Sequence, residues 1–200
     1  MLPYSKEKFG VPPNLYIIGT MNTADRSVEA LDAALRRRFS FDEVTPVYDL
    51  EELQYDFIGV TGAKILEVIN NRIEKLIDKD HKIGHSYFMV NATENAEEKL
   101  LLAFYKSIIP LLQEYFYVDY GKIGIVLGEG FVSLKKWDTN GEAFADFDTE
   151  NEGEYSERPV YRIIDYRDSK TEYKLSKRGA TEIQMTFKKA VQLLMKHTIE

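Results

Sequence analysis

Cysteine is absent from the 200 residues, which excludes disulfides and every zinc site built on thiolates. Histidine is scarce: His81, His85 and His197 are all there are, and they lack the grouping a metal site needs. No apolar run approaches the ~20 residues of a membrane-spanning helix, and no signal-peptide pattern opens the chain. A reducing, cytoplasmic setting without a membrane is the expectation. Basic stripes are missing too, which argues against DNA binding by this stretch. Two motifs of phosphate chemistry are also absent. There is no G-x-x-x-x-G-K-[ST] loop to cradle phosphates, and no apolar strand ending in Asp-Glu to hold magnesium. Internal repeats are not found.

The charge is unevenly spread. The net value is −7, yet residues 138–157 carry eight acidic and no basic side chains, leaving the remainder near +1. With Gly141, Gly153 and few aliphatics, that segment reads as a mobile loop.

What the chain does contain is concentrated in residues 14–41, NLYIIGTMNTADRSVEALDAALRRRFSF. Leu15, Tyr16, Ile17 and Ile18 have no alternating polar face and read as a central strand buried on both sides. Polar residues crowd its carboxyl end, from Thr20 to Ser27, where open α/β sheets bind ligands. A helix is expected next, capped by Ser27 or Asp25, with Val28, Leu31 and Leu35 on one face. It ends in Arg36, Arg37 and Arg38, and Phe39 to Phe41 starts another strand. Ahead of this stretch, Ser5 to Lys8 reads as the end of a hairpin, and Pro12-Pro13 feeds the Asn14 strand.

Beyond Pro46 the pattern turns helical. Asp49 and Glu52 form a capping-box pattern before Leu50, Leu53 and Phe57, and Gly59 and Gly62 end that helix. Ile65, Ile69, Ile73 and Leu76 define a second. Thr93 is the expected cap of a third, carrying Leu100, Leu101, Phe104 and Ile108, which Pro110 kinks or restarts. A short fourth runs from Asp119 to Leu127 and stops at Gly128 or Gly130. Residues 131–137 and 160–166 read as two strands joined by the acidic loop. Thr181 and Gln184 then open a closing helix with Ile183, Phe187, Ala190, Val191 and Leu194 as its apolar stripe.

MNTADRS followed by LDAALRRRF resembles the sensor-1 strand and arginine-finger helix of AAA+ nucleotidases, and within them the McrB family. Residues 83–88, IGHSYF, and 109–116, IPLLQEYF, are also McrB-like, so the resemblance covers about the first 130 residues. It implies α/β followed by α: the C-terminal part of an AAA+ P-loop NTPase core (1–47) and a helical lid (48–128). A C-terminal extension (129–200) with a small β-hairpin and terminal helix would follow. With the phosphate loop and magnesium strand missing, the expectation is the carboxyl-terminal piece of a motor cut just upstream of its sensor strand.

By the same resemblance Asn22 occupies the sensor-1 position, where a carboxamide orients the attacking water. The competing reading is an Asn that bonds its own turn. Asn22 to Asp25 also looks like the N-K-x-D element by which small GTPases read guanine. Thr23 replaces the Lys, however, and Asp25 equally serves as a helix cap or a partner for Arg26. Arg36 pairs with Asp32 at i,i+4. Arg37 and Arg38 are then the candidate fingers reaching a neighbour's γ-phosphate, against the alternative of cations favouring a helix C-terminus. His85 and Ser86 lie where many AAA+ lids carry the sensor-2 arginine. They are candidate nucleotide contacts, or equally a packed histidine and a capping serine after a Gly turn. Trp137, Tyr161 and Tyr166 could form an interaction surface or simply fill a core.

The resemblance implies hydrolysis of GTP with Mg2+ in the full-length protein, in a ring that is a homo-oligomer, a hexamer by family pattern. An McrC-like endonuclease would be the partner, driven to translocate and cleave modified DNA that a missing N-terminal domain reads. The alternatives are an ATP-using AAA+ ATPase of the dynein-related or MoxR-like type, and a nucleotide-independent interaction module. The fragment alone is expected to be inactive, with no tightly bound cofactor.

Overall fold

Ile65, Leu66, Ile69 and Ile73 recur at helical spacing and are all fully buried along α1, Gly62–Leu76. The Thr61 hydroxyl caps this helix by accepting from the Lys64 N–H at 3.2 Å, which satisfies one of the free amides of a first turn. The structure, a computed structural model, describes residues 4–22, 24, 37–91, 95–135, 158–168, 173–175 and 182–196. It divides into two units, Met1–Asp42 and Glu43–Glu200.

In the second unit the expected helix around Leu50 to Phe57 does not form. A single 3-10 turn, Glu51–Leu53, leads instead into an antiparallel hairpin of β1, Asp56–Phe57, and β2, Val60–Thr61. The turn residues explain the change. Ile58 and Gly59 both adopt positive φ, 56° and 80°, which is the signature of a two-residue turn matched to strand twist. Asp56 accepts from the Gly59 N–H at 3.4 Å. Leu53 and Phe57 are nevertheless buried, because their spacing serves the hairpin as well as it would a helix. Gly62 starts a helix rather than ending one.

After α1 come a 3-10 turn at His85–Phe88 and α2, Ala96–Ala103. The cap of α2 is Asn95, whose carboxamide oxygen accepts from Glu97 and Glu98; Thr93 lies outside the described residues. Its axis continues through one π turn, Phe104–Ile108, into α3, Ile109–Tyr115. The Ile109 N–H reaches back five residues to the Phe104 carbonyl. Pro110 accounts for this: it has no N–H, and its ring would strike the carbonyl four residues earlier in an unbroken helix. Next is α4, Tyr120–Leu127, capped by Asp119. Three helical runs, rather than the four expected, therefore occupy residues 48–128 among those described.

Strand β3, Val132–Leu134, pairs antiparallel with β4, Tyr161–Ile163; the acidic stretch and Trp137 lie outside the described residues. A second small pair joins β5, Lys174–Leu175, to β6, Ile183–Gln184. The closing helix α5, Phe187–Leu194, is capped by Thr186 and not by Thr181, which lies outside the described residues. The expected stripe survives the shorter helix, since Phe187, Ala190, Val191 and Leu194 are all buried. Ile183 leaves it for β6.

One apolar core unites these elements, and Phe104 is central to it. Its ring stacks on Phe131 at 5.0 Å and meets Phe187 and Phe88 edge-on at 5.6 and 6.1 Å. Side chains on either side of residue 128 thus share a single interior.

The first unit departs from the sequence expectation. Leu15, Tyr16, Ile17 and Ile18 form no strand and are 55%, 86%, 69% and 94% exposed. A central strand exists only when neighbouring strands take up its N–H and C=O groups; among the described residues no strand pairs with it, and the Leu15 N–H bonds locally to the Pro12 carbonyl at 3.2 Å. Ser5 to Lys8 and Phe39 to Phe41 are likewise unpaired by strands and exposed. The expected helix after Ser27 lies outside the described residues.

Candidate functional site

Asn70 is the polar residue on the buried side of α1 and is fully shielded from solvent. Burying a carboxamide is costly unless its hydrogen bonds are made. Here they are: Oδ1 accepts from the Ile83 N–H at 2.7 Å, and Nδ2 donates to the Ile83 carbonyl at 3.0 Å and to the Tyr48 hydroxyl at 3.1 Å. Asn70 thereby holds both backbone groups of the residue that opens the IGHSYF segment. Phe88, at the other end, is buried against Phe104. Between these two anchors His85 is half-buried, and Ser86 and Tyr87 are exposed.

The chain that enters this unit is tied to the same place. The Val47 N–H donates to His85 Nδ1 at 3.1 Å. Gln54 donates to the Tyr48 and Leu50 carbonyls, and Lys79 pairs with Glu43 at 2.9 Å. Close by in sequence, Asp78 accepts from the backbone of Asp80 and His81 and meets His81 Nδ1 at 2.7 Å. That hydrogen bond to His81 holds the Asp78 carboxyl below the usual carboxylate range. The His81 ring in turn packs edge-on against Tyr115 at 4.8 Å. Burial pushes the Tyr115 hydroxyl up.

The sequence-predicted residues fall into two groups. His85 and Ser86 share the surface just described. Asn22, Arg37 and Arg38 are in the first unit, and all three are exposed. The Asn22 carboxamide oxygen accepts from the Ala24 N–H at 3.3 Å, the local turn that was the alternative to a catalytic role. Asp25, Arg26, Asp32 and Arg36 lie outside the described residues. Of the aromatics, Tyr166 is engaged in the interior, donating to the Gly130 carbonyl at 2.6 Å, and Tyr161 packs over Gly121. Among the described residues no cluster of His, Asp and Glu is placed to hold a metal ion, and no helix is long and apolar enough to cross a membrane.

Asn70 and Tyr48 were not singled out from sequence. The available signal was a lone Asn four residues after Leu66 and three before Ile73, on a face otherwise apolar. Its partners are 13 and 22 residues away along the chain, and no local pattern names them.

Residues 62–124 match the family described as McrB, alpha-helical lid domain, a stretch running from the start of α1 into α4. The chain is 39% identical over 136 residues to the type IV methyl-directed restriction enzyme EcoKMcrB subunit of Escherichia coli (strain K12). That alignment covers 59% of this chain and 29% of the relative. It is also 36% identical over 63 residues to the uncharacterized protein YehL of the same organism, covering 32% of this chain and 16% of that protein. The chain thus spans under a third of the length of either relative.

Proposed function

This chain belongs to the McrB family and carries the McrB α-helical lid domain, and from that premise we propose that it is the C-terminal part of an AAA+ nucleoside-triphosphatase motor. The motor would be a GTPase of a restriction system that acts on modified DNA. The observation that carries the reading is the 39% identity to a methyl-directed restriction subunit over 136 residues. In this reading residues 1–47 belong to the α/β core, 48–128 to the lid and 129–200 to an extension. The motor works as a homo-oligomeric ring, hexameric by family pattern, with an McrC-like endonuclease as partner. DNA is read by a domain outside this chain.

Within that frame Asn22 positions water for attack on the γ-phosphate, and Arg37 and Arg38 complete a neighbour's site. Asp25, three residues after Asn22 in the sequence, is a candidate nucleotide contact. His85 and Ser86 face the nucleotide from the lid. The described residues offer neither a phosphate loop nor a carboxylate set for magnesium. The Mg2+ ligands and the phosphate cradle would then come from elsewhere in the full-length protein. The exposed run at Leu15 to Ile18 fits the same picture, because an unpaired apolar strand sequence needs sheet neighbours.

A second reading has one observation in its favour: the Asn22 oxygen is engaged by Ala24, as expected of a nucleotide-independent interaction module. Turnover decides between them. The full-length protein should hydrolyse GTP, with ATP competing poorly, while the 200-residue chain alone should show none. An ATP preference would point to a dynein-related or MoxR-like motor. Absence of any turnover by the full-length protein would leave the interaction module.

A further inference from the structure

A backbone N–H can only donate, so the 3.1 Å contact from Val47 to His85 Nδ1 requires that ring nitrogen to be an unprotonated acceptor. The proton of the neutral imidazole must then sit on Nε2. A histidine's tautomer is set by what its other nitrogen meets, and here both sides of that contact are fixed. Ile83, two residues before His85, is held by Asn70 through its N–H and its carbonyl. Tyr48, next to Val47, is held through its hydroxyl by the same Asn70 amide. Gln54 secures the Tyr48 carbonyl at 2.7 Å. One fully buried carboxamide therefore sets the spacing between the donor segment and the acceptor loop.

We propose that Asn70 and Tyr48 are positioning residues that lock His85 as the Nε2–H tautomer, turning its other ring nitrogen into a neutral hydrogen-bond donor for an anionic oxygen. Resting on the nucleotide reading of the lid, the proposal assigns that oxygen to a phosphate of the bound nucleoside triphosphate. A protonated ring could not accept from Val47, so donation from Nε2 comes without a positive charge. Asn70 itself touches no ligand; it acts through the loop.

Long-range 1H–15N correlation spectra of the 15N-histidine-labelled chain read the tautomer directly, with His85→Gln assigning the resonance among the three histidines. In the wild type at neutral pH, His85 should show one protonated nitrogen at ε2 and one acceptor nitrogen at δ1. Asn70→Ala should collapse that separation toward the averaged pattern of a free imidazole. Should Asn70→Ala fail to fold, Tyr48→Phe removes a single hydroxyl from the same network and should shift the pattern in the same direction. A wild-type His85 that is averaged or protonated at δ1 would overturn the proposal. So would a tautomer left fixed in every folded variant. A locked tautomer whose ε2 proton ignores GTP in the full-length protein would count against the nucleotide role alone.

Discussion

The guanidinium of Arg72 donates to the Leu194 carbonyl at 2.6 Å across 122 residues of sequence, while its other terminal nitrogen donates to the Val126 carbonyl, also at 2.6 Å. These carbonyls belong to the last turns of α5 and α4. A helix C-terminus leaves carbonyls without intrahelical partners and carries partial negative charge. One planar fork therefore satisfies two helix ends and fastens the closing helix to the lid.

Removing that fork should be costly. Arg72→Ala leaves two carbonyls without their charged donor, and the expected loss is about 2–4 kcal/mol of unfolding free energy, since hydrogen bonds to charged groups contribute ~1.5–3 kcal/mol. Arg72→Lys should fall between the two, because a point charge cannot serve two divergent acceptors equally. Urea denaturation of the three proteins checks this, and an Arg72→Ala midpoint equal to wild type would show the contact to be idle.

Gly130 illustrates a close approach. A Cβ there would lie 2.7 Å from the Ala190 Cα and 2.9 Å from its Cβ. Replacing glycine by alanine ordinarily stabilises a compatible site by ~0.4–1 kcal/mol through the unfolded chain. Here the sign should reverse, with Gly130→Ala destabilising by ~1–3 kcal/mol as overpacking does. Adding Ala190→Gly relieves only the side-chain part of the clash, so the double mutant should recover partially. Additive losses in that cycle would mean that the two positions do not press on one another.

Phe187, Ala190, Val191 and Leu194 fill the interior shared with Phe104 and Phe131. A chain ending at residue 168 should accordingly lose cooperative unfolding and expose the lid core, read as dye binding and a broadened thermal transition. Retention of a sharp transition with an unchanged midpoint would establish that the lid folds without its extension.

Arg37 and Arg38 can be tested in trans. In the full-length protein, rings mixing Arg37→Ala or Arg38→Ala subunits with Asn22→Ala subunits should regain part of the activity that uniform rings lack. At some boundaries of a mixed ring, pocket and finger are both wild type. The loss for a missing finger is on the order of 10³-fold or more, so even partial recovery stands clear of background. Mixed rings that assemble yet remain as inactive as either parent would assign both arginines a role within their own subunit.

The divide between sequence and tertiary structure can be followed residue by residue. The helices α1, α2, α3 and α4 were legible because apolar spacing, Asp119 as a cap and the proline at 110 all act within a few residues. Even the π turn has its cause in the adjacent Pro110. The apolar stripe of α5 was read correctly although its start was not, since Thr186 caps as well as Thr181 was expected to, and Ile183-Gln184 is claimed by a strand pairing with Lys174-Leu175. Leu53 and Phe57 were recognised as interior, but their spacing suits a helix and a hairpin alike; the positive φ of Ile58 and Gly59 settles that choice. Leu15 to Ile18 reads as a buried strand by composition, yet burial is a property of neighbours, and among the described residues no strand lies beside it. The tie of Asn70 to Ile83 and Tyr48, and that of Arg72 to Val126 and Leu194, needed the folded chain. A hydrogen bond between distant residues depends on where two segments are brought together, which no local pattern of side chains encodes.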